Sequence, residues 1–297
     1  MRSTQSSDSS APFIEQFRPT PPAMHRFRKP VSACMRLTSC SATSSRRCWT
    51  LAATDDVNAL NAGCGVAWSE YLFNTNPRCN RFAVDLSSSV DIAFERTRTF
   101  PNVCVAQADL NGLPFLPSFF DMIFCGGVLH HTPNPLDTFS RLCGHLKAGG
   151  LIGIFVYKTK PFLRELADRE LRTITTAMTD VECELFAAQM ARLGRSLQQI
   201  REPLVVEDDI PTLGIKAGRY NVQKFLFDHF LKCYHNGELG FEHAVLANID
   251  WYKPKRASHH SRAEVSSWFE TNALGDVRFI DLPGWEHSSF FVSGRKL

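Results

Sequence analysis

The chain has 297 residues, of which 44% are hydrophobic and 21% charged, and its formal net charge is +3. This composition is ordinary for a globular protein, so it excludes collagen-like, low-complexity and wholly disordered chains. The longest apolar runs, such as residues 151–157, are far shorter than the roughly 20 apolar residues of a membrane-spanning helix. We therefore expect a protein that does not cross or bind a membrane.

The charge is divided unevenly along the chain. Residues 1–54 hold eight basic and two acidic residues, a net charge of +6, and the remainder carries −3. The first stretch is also rich in serine and interrupted by proline, which is typical of disorder. An organelle transit peptide and an incorrect start or reading frame are the other interpretations. We predict a disordered Ser/Arg/Pro-rich extension over residues 1–56.

The ten cysteines are scattered through the chain without a C-x-x-C pair. This pattern favours free or buried thiols in a reducing compartment over a disulfide framework or a zinc site. We expect a cytoplasmic protein with no metal site.

From about residue 57, short apolar segments alternate with helix-like stretches, as in successive βα units. The predicted strands are Val57–Leu60, Arg81–Leu86, Val103–Ala108, Asp121–Leu129 and Leu151–Tyr157, with Val277–Leu282 and Ser288–Ser293 as two final strands. Strands joined by crossover helices predict a parallel sheet covered on both faces.

Three further patterns predict the elements between the fourth strand and the two final strands. A helix is predicted from Asn134 to a stop at Gly149 and Gly150, and a capping box between Ser261 and Glu264 opens another. The helix-rich stretch 158–258 between them resembles an insertion. Insertions beside the carboxyl ends of parallel strands commonly build substrate pockets, so we predict a substrate lid there.

The strongest local signal is a glycine-containing turn, Asn61-Ala62-Gly63-Cys64-Gly65, between a strand and a helix. Glycine lets the backbone approach a ligand, and the next helix presents unpaired amides. Asp85, at the end of the second strand, is where a carboxylate can bind a ribose diol, although it can also cap the next helix. Cys64, between the glycines, is interpreted as a packing residue.

The next strand ends in Asp109, within reach of an adenine edge or equally placed to cap the turn before Gly112. A dinucleotide fingerprint needs a third glycine where this chain has Trp68, which argues against a pyrophosphate at the turn. An adenosine ligand without phosphates fits better.

Five motifs follow one another in register: NAGCG (61–65), AVDLS (83–87), QADLNGLPF (107–115), FDMIFCGGVLHHTPNP (120–135) and LKAGGLIGIFVY (146–157). Through them, residues 57–157 resemble the small-molecule branch of the class I S-adenosylmethionine-dependent methyltransferases. The resemblance implies a doubly wound, Rossmann-like α/β fold. Its seven-stranded sheet would be mostly parallel, with an antiparallel last strand and a helical insertion after the fifth. The methyltransferase domain would then span residues 57–297.

The resemblance also implies a cofactor, S-adenosylmethionine, and residues that bind it. Gly63 and Gly65 would lie against its methionine part, Asp85 would bind its ribose and Asp109 its adenine amino group. The remaining cofactor contacts would be Asn61, Leu86 and Leu110. Two departures from the family pattern are Asn61, where aspartate is frequent, and Ala67, where glycine is frequent, so we expect weakened cofactor binding.

His130 and His131 follow the fourth strand and are the candidate catalytic residues. A neutral imidazole there would remove a proton from the methyl acceptor, and of the two we favour His131. Basic and aromatic residues lie near both ends of the stretch 158–258, in one group from Tyr157 to Arg164 and in a second from Trp251 to His260. The second group would favour an anionic or sugar-like acceptor if it folded over the cleft; a solvated basic loop is the alternative.

The predicted reaction is methyl transfer to an oxygen, nitrogen or carbon of a small metabolite. One alternative is a nucleic-acid methyltransferase, but the Asn/Asp-Pro-Pro-aromatic tetrapeptide is replaced here by Gly-Val-Leu-His-His, and the body is mildly acidic. The other alternative is a non-catalytic cofactor-binding module, which Asn61 and Ala67 keep open. The sequence predicts no nucleic-acid partner and indicates no oligomeric state.

Overall fold

A computed structural model describes residues 57–73, 78–280 and 288–297. The predicted extension, residues 1–56, lies outside the described residues, as does the end of the predicted strand Val277–Leu282. The described chain forms two compact units. We call Leu166–Lys253 the helical unit and the described residues of 57–165 and 254–297 the sheet unit.

The sheet unit is built on seven strands in the order β3-β2-β1-β4-β5-β9-β8. The strands are β1 (Val57–Ala62), β2 (Cys79–Asp85), β3 (Val103–Gln107), β4 (Phe120–Gly126), β5 (Leu146–Tyr157), β8 (Leu274–Ile280) and β9 (Ser289–Lys296). The helices are α1 (Trp68–Phe73), α2 (Ser89–Thr97), α3 (Pro135–His145) and α8 (Arg262–Thr271), and α4 (Phe162–Thr175) begins in this unit.

The first five strands run parallel, and β9 runs antiparallel to both β5 and β8. This confirms the predicted Rossmann-like sheet. The strand order reverses between β1 and β4, and ligands of open α/β sheets bind outside the carboxyl ends of strands at such a point. A ligand site is therefore expected at the segments that follow β1, β2 and β4.

The predicted helix stop at Gly149 and Gly150 is wrong, because α3 already ends at His145. Leu146 is fully buried and pairs with Phe120, so β5 begins there. The next pair is Met122 with Leu151, so four residues, 147–150, bulge opposite the single residue Asp121. Gly149 supplies the positive φ, +74°, of this bulge.

The fourth strand is also shorter than predicted. It ends at Gly126, and Gly127 follows with a φ of +79°. Residues Leu129–His131 then form a single 3₁₀ turn. The left-handed glycine ends the ladder and redirects the chain, so the two histidines lie on a turn at the end of β4.

The helical unit holds the rest of α4, then α5 (Asp180–Gln198), α6 (Val222–His229) and α7 (Phe241–Tyr252), with a small hairpin of β6 (Leu204–Val206) and β7 (Gly218–Tyr220). Thr179 and Glu182 form a complete capping box at the start of α5. Small side chains on α5 and α7 pack together: Ala187, Ala191, Ala244 and Val245. This unit lies within the predicted insertion 158–258, although the hairpin was not predicted, and its role as a lid stays a prediction. Over the described residues, no helix is long and apolar enough to span a membrane.

Four phenylalanines form one aromatic cluster at the edge of the main core: Phe82, Phe115, Phe119 and Phe120. The ring of Phe120 is fully buried and lies 4.9 Å from that of Phe115. We expect Phe120→Ala to lower the free energy of unfolding by about 3–5 kcal/mol, the cost of a core cavity of this size. Chemical denaturation measures it.

The matched control is Phe94→Ala on α2, where the side chain is 55% exposed. We expect a change within about 0.5 kcal/mol there. Equal losses in the two variants would show that the aromatic cluster does not anchor the sheet.

Candidate active site

The turn after β1 is held close to the turn after β4. Gly63 has a φ of +79°, and a Cβ built on it would overlap the side chain of Val128. The amides of Gly63 and Cys64 both donate to the Val84 carbonyl, at 2.7 and 2.9 Å. Gly63 is therefore required by the approach of two chain segments, an explanation that the sequence did not provide.

Gly65 is different, because a Cβ built on it would meet no atom of the described chain within 4 Å. Its φ is +52°. Gly127, at φ +79°, is equally open. These two glycines leave bare backbone beside open space at the carboxyl edge of the sheet, as a ligand cradle requires. The predicted cofactor is compatible with this arrangement.

Asp85, at the end of β2, is half-buried and supports the glycine turn. One carboxylate oxygen accepts from the Gly65 amide at 2.8 Å, and the other accepts from the amide and hydroxyl of Ser87 at 2.8 and 2.7 Å. The residue at the N-cap of α2 is Ser88, so Asp85 does not cap that helix. A carboxylate has about four acceptor positions, so a ribose diol that takes two must displace one of these bonds, most simply that of the Ser87 hydroxyl.

Asn61 is buried and its amide nitrogen donates to Ser69 and Glu70, at 2.7 and 3.0 Å. Burial raises the pKa of Glu70, and hydrogen bonds from Asn61 and Ser69 oppose that shift. Asn61 thus links the end of β1 to the first turn of α1. Glu70 was not predicted as a site residue. The only signal for it was an acidic residue in the first turn of the helix that follows the glycine turn.

The other departure, Ala67, and the neighbouring Cys64 also lie in or beside the glycine turn. Ala67 has a φ of +57° and is fully buried, so it holds a left-handed backbone that costs about 1 kcal/mol without glycine. Burial raises the pKa of the Cys64 thiol to about 12, so this side chain remains a neutral packing group as interpreted.

Asp109 is exposed and caps the 3₁₀ turn Leu110–Gly112. Its Oδ1 accepts from the amide and the side chain of Asn111, at 2.9 and 3.0 Å. One carboxylate oxygen of Asp109 therefore caps this turn, as one of the two interpretations expected. The contact of Asp109 with an adenine stays a prediction. Leu110 packs into the main core, whereas Leu86 is 67% exposed.

The two candidate catalytic histidines have opposite environments. His130 is fully buried, and its ring stacks on Tyr157 with centroids 3.7 Å apart. Neither ring nitrogen has a hydrogen-bond partner within the described chain. Burial, with smaller contributions from nearby histidines and Lys160, lowers the pKa of His130 well below its usual range, so its ring is neutral. His130 is therefore an aromatic packing partner.

His131 is partly exposed and oriented by one bond. Its Nδ1 lies 2.6 Å from the carbonyl oxygen of Arg256. A carbonyl only accepts, so Nδ1 carries the proton, and in the neutral ring Nε2 is left with a free lone pair. This is the tautomer that a general base requires at Nε2. Arg256 contributes through its backbone, which no sequence pattern signals.

Several side chains of the predicted basic groups are engaged within the sheet unit. Lys158 lies over the Phe290 ring at 4.5 Å, and the ammonium of Lys160 donates to the Ser288 carbonyl. The Nδ1 of His259 contacts Glu165 at 2.7 Å. Burial raises the pKa of Glu165, but the hydrogen bond and electrostatic attraction of His259, together with the amide and charge of Lys160, outweigh that effect and hold the pKa below its ordinary value. Glu165 was not predicted.

The glycines of the first turn give a stability prediction. Gly63→Ala adds overlap with Val128 to the strain of a positive φ, so we expect a loss of about 2 kcal/mol or more. Gly65→Ala carries the strain alone, and we expect about 1 kcal/mol. Urea unfolding compares the two, and an equal loss would contradict the close approach.

The buried His130 predicts a pH dependence. Because its folded-state pKa is lowered, the unfolded chain alone binds this proton below pH about 6.5, so stability falls as the pH falls. Between pH 7.5 and 5.5, we expect the native protein to lose about 1 kcal/mol more than His130→Phe, which keeps the ring stack. Parallel pH profiles in the two proteins would contradict a buried neutral ring.

Parts of this chain are similar to known proteins. The model of a family described as a methyltransferase domain matches residues 60–154. An uncharacterized protein from Synechococcus sp. is 33% identical over 130 residues, covering 42% of this chain and 30% of that protein. An uncharacterized chloroplastic methyltransferase from Arabidopsis thaliana is 26% identical over 121 residues, covering 39% and 32%. The chain thus spans about a third of the length of these curated relatives.

Solved structures similar to this chain include the 1,6-didemethyltoxoflavin-N1-methyltransferase of Burkholderia thailandensis, with 12% identity and a TM-score of 0.48 over 93% of this chain and 84% of that one. Another is an S-adenosylmethionine-dependent methyltransferase from Aquifex aeolicus, with 13% identity and a TM-score of 0.43 over 96% and 97%. The matched residues 60–154 include the glycine turn, Asp85 and both histidines. Residues 60–154 are thus similar to a methyltransferase domain.

Proposed function

We propose that this protein transfers a methyl group from S-adenosylmethionine to an oxygen, nitrogen or carbon of a small metabolite, with His131 as the general base. The observation that carries the proposal is the adjacency of two turns. The glycine turn, which is open at Gly65, packs through Gly63 against Val128, and His131 lies three residues after Val128. A cofactor cradle and a base-competent imidazole thus share one edge of the sheet.

The cofactor would be held by the open backbone at Gly65 and Gly127, with Asp85 at its ribose and Asp109 at its adenine. When bound, it supplies a methyl group that is already activated as a sulfonium. The chain's task is then to align the acceptor and exclude water. Asp85 serves two purposes in this proposal, because the same carboxylate that receives the ribose also fixes the Gly65 amide.

His131 would act through Nε2. That nitrogen takes the proton from an acceptor hydroxyl, amine or acidic carbon as the new bond forms, and the Arg256 carbonyl then stabilises the imidazolium through Nδ1. Acceptors that have already lost their proton do not need this step. The base role therefore favours acceptors that are protonated at neutral pH.

Cofactor binding is tested by calorimetry with S-adenosylhomocysteine. We expect Asp85→Ala to weaken binding at least tenfold, because hydrogen bonds to a charged acceptor are worth about 1.5–3 kcal/mol each. Asp91→Ala, an exposed carboxylate on α2, is the matched control and should bind as the native protein does. Unchanged affinity in Asp85→Ala would contradict the ribose role, and no binding by the native protein at millimolar ligand would overturn the proposal.

The base is tested by turnover. Labelled S-adenosylmethionine and a panel of small hydroxyl, amine and carbon acceptors would identify a substrate. With it, we expect His131→Ala to lower kcat by about 10²–10⁴ without changing the affinity for S-adenosylhomocysteine. His145→Ala, a histidine at the end of α3, is the control. Turnover of His131→Ala near that of the native protein would remove the base.

A further inference from the structure

The segment Arg256–His260 lies between the ends of two strands in the sheet unit. The His260 amide donates to the Tyr157 carbonyl at 2.9 Å, and the Thr159 amide donates to the His260 carbonyl at 3.0 Å. These bonds extend β5 by one parallel bridge. On its other side, the Ser258 amide donates to the His130 carbonyl at 2.8 Å. The segment is therefore fixed both to the end of β5 and to the turn after β4.

A chain of side-chain contacts strengthens the second attachment. The Ser258 hydroxyl lies 3.2 Å from the His130 carbonyl and 2.8 Å from Nε2 of His260. The Nδ1 of His260 lies 2.8 Å from a carboxylate oxygen of Glu264, in the first turn of α8. His260 is only 4% exposed. Glu264, His260 and Ser258 thus connect the start of α8 to the histidine turn.

Only half of the capping box predicted between Ser261 and Glu264 forms at the start of α8. The Ser261 hydroxyl accepts from the Glu264 amide at 3.1 Å, as predicted. The Glu264 carboxylate contacts His260 instead of completing the box. An ordinary capping carboxylate would stabilise only the helix, whereas this one also holds the imidazole of His260.

The chain of contacts ends where His131 is oriented. The carbonyl that binds Nδ1 of His131 belongs to Arg256, two residues before Ser258. One residue separates Arg256 from Ser258, so a shift of Ser258 would displace that carbonyl, and a hydrogen bond weakens as its geometry departs from the ideal. Without the bond, the proton of the neutral ring is free to move to Nε2, which abolishes the base.

We propose that Ser258, held by His260 and Glu264, is a positioning residue that keeps His131 in the tautomer with the proton on Nδ1 and the lone pair on Nε2. The inference rests on the proposed function for its catalytic consequence. Its structural content, the tautomer of His131, is independent of that function. A chain of bonds that merely stabilised the fold would change the melting temperature and leave the tautomer unchanged.

The direct test is nitrogen-15 NMR of the histidine rings in the full chain, with the His131 signals assigned from a His131→Gln variant. We expect the Nδ1-protonated tautomer to dominate in the native protein. In Ser258→Ala a second population, protonated on Nε2, should appear, and Ser258→Thr, which keeps a hydroxyl, should restore the native spectrum. His131 protonated on Nε2 in the native protein, or a tautomer unchanged in Ser258→Ala, would overturn the proposal.

A second pair of variants changes Glu264, at the other end of this chain of contacts. Glu264→Ala removes the acceptor for His260 and should reproduce the effect of Ser258→Ala, while Glu264→Gln keeps an acceptor oxygen and should not. Ser267→Ala, on the same helix, is the control for a lost hydroxyl. If Glu264→Ala fails to fold, the Ser258 pair decides the question alone.

Kinetics separate this inference from the proposed function. We expect Ser258→Ala to lower kcat about fivefold, the factor of one ordinary hydrogen bond, with the affinity for S-adenosylhomocysteine unchanged. If His131→Ala keeps its turnover, the base role fails, and the tautomer measurement still tests the positioning role. If the tautomer responds and the rate does not, the catalytic part of the inference is overturned.

Discussion

The close approach of the turns after β1 and β4 is the constraint on which the site depends. Gly63 permits it, because any Cβ at that position would overlap Val128. The approach occurs where the strand order reverses, so the two turns flank the natural ligand crevice of the sheet. Asp85 then fixes the Gly65 amide from the neighbouring strand. Backbone geometry and one carboxylate thus shape the cradle before any ligand binds.

The strands of the parallel sheet and the position of the glycine turn were predictable because both depend on short-range patterns. Apolar segments at regular intervals define buried parallel strands, and glycines between a strand and a helix define a turn. The element ends were less predictable. Gly149 and Gly150 are typical of a helix stop, yet the burial of Leu146 and its pairing with Phe120 place them in a bulge of β5. The tertiary packing of Leu146 therefore overrides the local helix-stop pattern of the two glycines.

The side-chain roles divide in the same way. Asp85 and His131 could be named as candidates because one ends a strand and the other lies on the turn beyond one. The partner of His131 lies 125 residues away and acts through a backbone carbonyl, so no residue type marks it. The expected contact of Asn61 with a ligand stays a prediction, whereas the bonds of its amide nitrogen to Ser69 and Glu70 were not predicted. The sequence indicates which residues lie at this edge of the sheet. Their hydrogen-bond partners also depend on segments that are distant in sequence, so a local pattern does not reveal them.

We propose that this edge holds S-adenosylmethionine with Nε2 of His131 facing the transferred methyl group. The decisive measurement is a crystal structure of the protein with S-adenosylhomocysteine. We expect the ribose hydroxyls on Asp85, the ligand against the open face of Gly65, and the unprotonated nitrogen of His131 facing the sulfur. A ligand bound elsewhere, or His131 turned away from the sulfur, would contradict it.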